Sequence, residues 1–168
     1  DKGIIALMYH RFDEHKYPST NIQMDIFKEQ LNIIENLKIN FLHPKNFNKE
    51  ISKPNEVKKI LLTIDDGFQS FYNNAWPILK RENIPFILFI STGYVGKNGY
   101  MNWEQIKEIE KSGLGIIGNH SHTHEYLVDK TNNQIINDLN QAIALFKKEL
   151  GHSPSYFSYP FGEYSNDF

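Results

Sequence analysis

Short apolar, β-rich runs alternate with segments of helical periodicity, and no other feature of this sequence restricts the fold as much. The runs fall at 4–9, 41–42, 60–64, 86–90, 114–117 and 156–159. Between them, Phe27, Leu31, Ile34 and Leu37 share one face of a helical segment, and Ile135, Leu139, Ile143, Phe146 and Leu150 share a face of another. Shorter helices are expected over 74–82, with Pro77 near the start where its missing N–H is tolerated, and over 103–112. Gly151 supplies a C-terminal stop to the last helix. Strands alternating with helices form parallel βαβ units, so the expected class is α/β, either a barrel or an open sheet covered on both faces. The 168 residues are enough for one domain with a genuine core, expected over 1–168.

Composition narrows the function classes. Eighteen basic residues against 20 acidic ones leave a formal charge of −2, and no basic stripe is present, which argues against nucleic acid as a partner. The apolar runs are far shorter than the roughly 20 residues a membrane-spanning helix needs. With no cysteine, the chain has neither disulfides nor thiolate chemistry. The sequence opens on Asp1 rather than Met, as it would after removal of a leader. Oligomeric state is not legible.

Parallel α/β folds bind ligands at the carboxyl ends of their strands, so the residues after each run are the informative ones. They are His10-Arg11, His43-Pro44, Asp65-Asp66-Gly67, Ser91-Thr92-Gly93, Gly118-Asn119-His120-Ser121-His122-Thr123-His124, and Pro160-Phe161-Gly162 after Tyr159. Five of the seven histidines and two adjacent carboxylates are thus expected on one face. Asp-Asp-Gly is ordinary turn chemistry. Delivered directly by an apolar strand, however, two adjacent carboxylates point in different directions, so one can hold a metal while the other contacts a water. Imidazole is the commonest metal ligand, and two histidines with one carboxylate match a catalytic zinc site. A helical turn would pair His120 with His124, whereas an extended segment would align His120, His122 and His124. Spacing leaves that choice open.

Together these residues resemble the polysaccharide deacetylases, the NodB-homology domain of carbohydrate esterase family 4. Thr63-Ile64-Asp65-Asp66 looks like the family's first motif, His120-Ser121-His122-Thr123-His124 like its second, and Ser158-Tyr159-Pro160-Phe161-Gly162 is similar to its third. The resemblance implies a distorted, incomplete (β/α) barrel. It implies that Asp65 is the catalytic base, that Asp66, His120 and His124 are metal ligands, and that the Phe161 N–H holds the oxyanion. His122 becomes a non-ligand. Met8-Tyr9-His10-Arg11-Phe12 looks like the opening of the branch acting on poly-β-1,6-N-acetylglucosamine, in which an early histidine supplies the general acid; His10 takes that role here.

The sequence departs from the family pattern in two places. Ser158 stands where many members carry an arginine that orients the base, and the family's last two motifs have no counterpart after Gly162, as in a domain truncated at its C-terminus. The implied activity is hydrolysis of N-acetyl groups on an amino-sugar polysaccharide (poly-N-acetylglucosamine, peptidoglycan or a chitin-like polymer), with a divalent cofactor, zinc before cobalt, nickel or iron. An extracytoplasmic location accompanies the resemblance. Among rim aromatics, Tyr159 with Pro160 is the expected substrate contact, and Tyr94 and Trp103 are expected to be packing residues. Two other readings remain: a non-catalytic carbohydrate-binding module of the same fold, and a metallohydrolase using His120 with His122.

Overall fold

A computed structural model describes residues 3–53 and 57–164. The main sheet is parallel. β1 (Ile4–Tyr9) lies beside β5 (Lys59–Ile64), followed by β6 (Phe86–Ile90) and β7 (Gly115–Asn119), while the two-residue β4 (Asn40–Phe41) pairs with the start of β5. β2 (Arg11–Phe12) and β3 (Asn21–Ile22) form a small parallel pair of their own. Among the described residues the sheet stays open, an incomplete barrel with β1 and β7 at its edges.

The expected run at 156–159 is a single parallel bridge, Phe157 against Asn119, rather than a strand. The Asn119 N–H reaches the Tyr156 carbonyl at 2.9 Å, and the Ser158 N–H reaches the Asn119 carbonyl at 3.0 Å. That bridge docks the last segment beside His120.

Among the described residues five α-helices cover the sheet: α1 (Met24–Asn36), α2 (Phe47–Ile51), α3 (Trp76–Arg81), α4 (Trp103–Lys111) and α5 (Asn132–Leu150). A five-residue π turn, Phe71–Ala75, runs directly into α3, so helical backbone covers the expected segment from residue 74 and ends at Arg81, one residue short of it. α1 buries Met24, Phe27, Leu31 and Ile34 but ends at Asn36, which leaves Leu37 exposed. α4 and α5 both start with capping boxes, Asn102 with Gln105 and Thr131 with Gln134, and each box satisfies two otherwise orphaned N–H donors. Gly151 ends α5 at φ 81°, as expected of a left-handed stop.

The main core joins Phe12, Phe27, Leu62, Ile64, Leu88 and Phe146 with their neighbours. The inward stripe of α5 is Ile135, Asp138, Ala142 and Phe146, rotated from the face expected from Leu139, Ile143 and Leu150, which are half-buried. A carboxylate therefore occupies a core position.

Candidate metal centre and active site

Strand register brings the chemistry together. Tyr9 is paired with Ile64, so His10 and Asp65 leave adjacent strands at the same level. Ile90 is paired with Asn119, which does the same for Ser91 and His120. The His120 N–H continues the ladder to the Ile90 carbonyl at 2.9 Å, and the Ser91 hydroxyl donates to the His120 carbonyl at 2.8 Å.

His43 does not join this face. β4 pairs only with Lys59 and Ile60 at the start of β5, and the chain then turns into Pro44 before reaching the carboxyl end. His43 Nε2 instead lies 2.8 Å from the Gly113 carbonyl, just before β7 begins. Four histidines, not five, gather at the site end.

Asp66, His120 and His124 each present a ligand atom, and the three atoms lie within 4.8 Å of one another. Asp66 Oδ1 is 2.9 Å from His124 Nε2 and 3.4 Å from His120 Nε2. Neither contact has the direction of a good hydrogen bond, and Oδ1 is buried without a hydrogen-bond partner. An orphaned buried carboxylate oxygen facing two imidazole nitrogens is costly unless a cation sits among them. The donor set and its convergence fit a divalent ion, and His₂-carboxylate is the composition of open catalytic sites.

Neither a helical turn nor an extended strand pairs His120 with His124. Residues 121–124 form an irregular turn with Ser121 at φ 66° and His124 at φ 54°, and Asp66 is left-handed as well, at φ 75°. Such backbone strain in non-glycine residues gathers at functional sites. The Ser121 hydroxyl accepts the His124 N–H at 2.9 Å and holds the turn closed. His120 is oriented by Nδ1, 2.8 Å from the Ser158 carbonyl, which leaves Nε2 facing Asp66. A main-chain oxygen orients this ring, so the Ser158 side chain is not required for it. His122 lies outside the cluster, with Nδ1 2.9 Å from the Thr92 hydroxyl.

Asp65 is buried, and its Oδ2 is 3.9 Å from His10 Nε2. Burial pushes the Asp65 carboxyl above its ordinary value and the Asp66 charge adds to this, against opposition from His120, His10 and His124. Burial also pushes Asp66 upward, but the His120 and His124 imidazoles outweigh it and hold Asp66 well below the usual carboxylate range. For His120, burial favours the neutral ring, yet Asp66, Asp65 and the Ser158 carbonyl raise its pKa overall.

Beside Asp66 and His124 opens a cleft of about 240 Å³, also lined by Arg11, Tyr94, Tyr100 and Phe161. The Arg11 guanidinium lies 3.5 Å from the Phe68 ring centre and 3.8 Å from that of Tyr17, and it pairs with Glu14 at 3.1 Å. Phe161, at φ 62°, is half exposed; its ring centre is 4.9 Å from that of His124, and it stacks on Tyr126 at 3.8 Å. Tyr159 packs edge-on against Phe157, and Pro160 is buried. Tyr94, expected as packing, is a wall of the cleft, whereas Trp103 packs on the core.

A family profile described as polysaccharide deacetylase matches residues 52–168. The chain belongs to the polysaccharide deacetylase family. IcaB from Ammonifex degensii has a solved structure that superposes with a TM-score of 0.88 at 30% identity, over 99% of this chain and 77% of that one. The poly-β-1,6-N-acetyl-D-glucosamine N-deacetylase of Staphylococcus aureus is 26% identical over 195 residues, covering 99% of this chain and 67% of that protein. Streptococcus pyogenes deacetylase PplD, solved in complex with acetate, shares the fold with a TM-score of 0.85 at 24% identity, over 99% of this chain and 77% of its own. No helix among the described residues is long and apolar enough to cross a membrane.

Proposed function

We propose that this chain is a metal-dependent N-deacetylase that removes acetyl groups from an amino-sugar polysaccharide outside the cytoplasm, with poly-β-1,6-N-acetylglucosamine as the leading substrate. The observation that carries the proposal is the convergence of Asp66, His120 and His124 around a buried, unpartnered carboxylate oxygen, one residue from a second buried carboxylate. The similarity to the Staphylococcus aureus enzyme supports the choice of polymer.

Asp66, His120 and His124 would hold a divalent cation, zinc in the first instance, which supplies Lewis-acid polarisation of the amide and lowers the pKa of water. Asp65 accepts the proton of the attacking water as its oxygen adds to the acetyl carbonyl carbon. The Phe161 N–H donates to the oxygen on which charge develops, a contribution of about 3 kcal/mol for one such donor. His10, beside Asp65, gives a proton to the sugar nitrogen as the carbon–nitrogen bond breaks, and the products are acetate and a free amine. Phe161 and the tyrosines of the cleft wall bracket the acetylated sugar.

Acetate release from poly-N-acetylglucosamine, measured with zinc and again after chelation, tests the proposal. Zinc-dependent release that disappears in Asp65→Asn is expected. Release that is absent in zinc-loaded protein, or indifferent to chelator, would overturn it.

A further inference from the structure

Asp138 on α5 is a buried carboxylate that the proposed reaction does not use. It is 7% exposed and occupies the inward stripe between Ile135 and Ala142. A buried carboxylate is costly unless its oxygens are hydrogen-bonded. Both oxygens are, and the donors all come from the 121–124 turn. Oδ1 accepts the His122 N–H at 2.8 Å; Oδ2 accepts the Thr123 N–H at 2.9 Å and the Thr123 hydroxyl at 2.7 Å.

That turn carries the left-handed Ser121 and His124, a strained backbone state that persists only under outside restraint. On the β6 side, Thr92 and Gly93 restrain it through their N–H groups, which donate to the Ser121 carbonyl at 3.2 Å and the His122 carbonyl at 2.9 Å. Those bonds end at His122. Asp138 holds the opposite, N–H edges of the same two peptides and adds the Thr123 hydroxyl, so the residue just before His124 is fixed by side chain as well as by main chain.

We infer that Asp138 is a positioning residue for the metal centre: through the His122–Thr123 backbone it fixes where the His124 imidazole stands relative to Asp66 and His120. The inference rests on the proposed reading of those three residues as a cation site. Groups that hydrogen-bond a metal-ligating side chain change metal affinity about 10- to 100-fold when removed, and Asp138 acts on the residue next to one.

The test is zinc affinity, read by competition with a chromophoric chelator, together with the unfolding temperature of the metal-free protein. Asp138→Asn keeps the shape but replaces one acceptor oxygen with an NH2 donor that faces the donors of the turn. It is expected to bind zinc about 10- to 100-fold more weakly than wild type. Thr123 is exposed, so its variants test the same link without disturbing the core. Thr123→Val should lose affinity several-fold, and Thr123→Ser, which keeps the hydroxyl, should restore it. If both Asp138→Asn and Thr123→Val bind zinc within about twofold of wild type, the inference is overturned, even where their unfolding temperatures fall. Should Asp138→Asn fail to fold, the Thr123 pair decides alone. Wild-type protein that binds no zinc overturns the cation-site reading and this inference with it; normal wild-type binding with unperturbed variants overturns this inference only.

Discussion

Asp65 and Asp66 are neighbours in sequence whose pKa values are pushed in opposite directions. Burial raises the pKa of Asp65, whereas two imidazoles pull Asp66 down despite its burial. The proposed roles of base and ligand differ accordingly, and Asp65→Asn is expected to keep zinc while losing turnover, measured as acetate release beside a metal titration. The same substitution has a signed effect on stability. With its folded pKa raised, Asp65 favours the metal-free folded state most when protonated, and this contribution is lost as pH rises through the folded value. Metal-free Asp65→Asn should therefore be more stable than wild type at neutral pH, with the gap narrowing as pH falls, which denaturant unfolding at several pH values checks. His10→Ala should lower kcat about 10²- to 10⁴-fold, the usual reach of a general acid, with zinc binding intact. Unchanged kcat would remove His10 from the mechanism and leave the cation site standing.

At the level of elements, the site depends on how closely the turn after β6 approaches the turn after β7. A Cβ on Gly93 would stand 2.5 Å from the His122 carbonyl oxygen, too close without movement of main chain. Gly93→Ala is expected to cost about 1–3 kcal/mol, as overpacking does. It should also weaken zinc binding, because the displaced segment is the one that carries His124. Calorimetric unfolding and zinc titration of the purified variant read the two effects separately. Loss of stability with unchanged zinc affinity would show that this approach does not position the ligand.

For the whole molecule, a cation bound only by the folded state stabilises it by mass action. Zinc at 100 times its dissociation constant should add about 2.7 kcal/mol, and raise the unfolding temperature by roughly 5–10 °C for a chain of this size. Chelation should reverse the rise, and His120→Ala and His124→Ala should abolish it. Much of this design is legible in the linear chain. Apolar runs of strand length, helical periodicity and the motifs around Asp65-Asp66 and His120–His124 are local patterns, so the parallel α/β class and the gathering of carboxylates and imidazoles at strand ends follow from them. The position of His43 does not, because β4 is two residues long and only its pairing with the start of β5 shows that the chain turns back early. Nor does the pairing of His120 with His124, which depends on two left-handed residues in an irregular turn that periodicity does not encode. Asp138 left one local signal, a charge near the apolar stripe of α5, but its meaning lies in donors 15 and 16 residues away in sequence. Burial patterns repeat along a chain and can be read from it. Contacts between turns depend on where strands end in space, and the tertiary structure alone decided those.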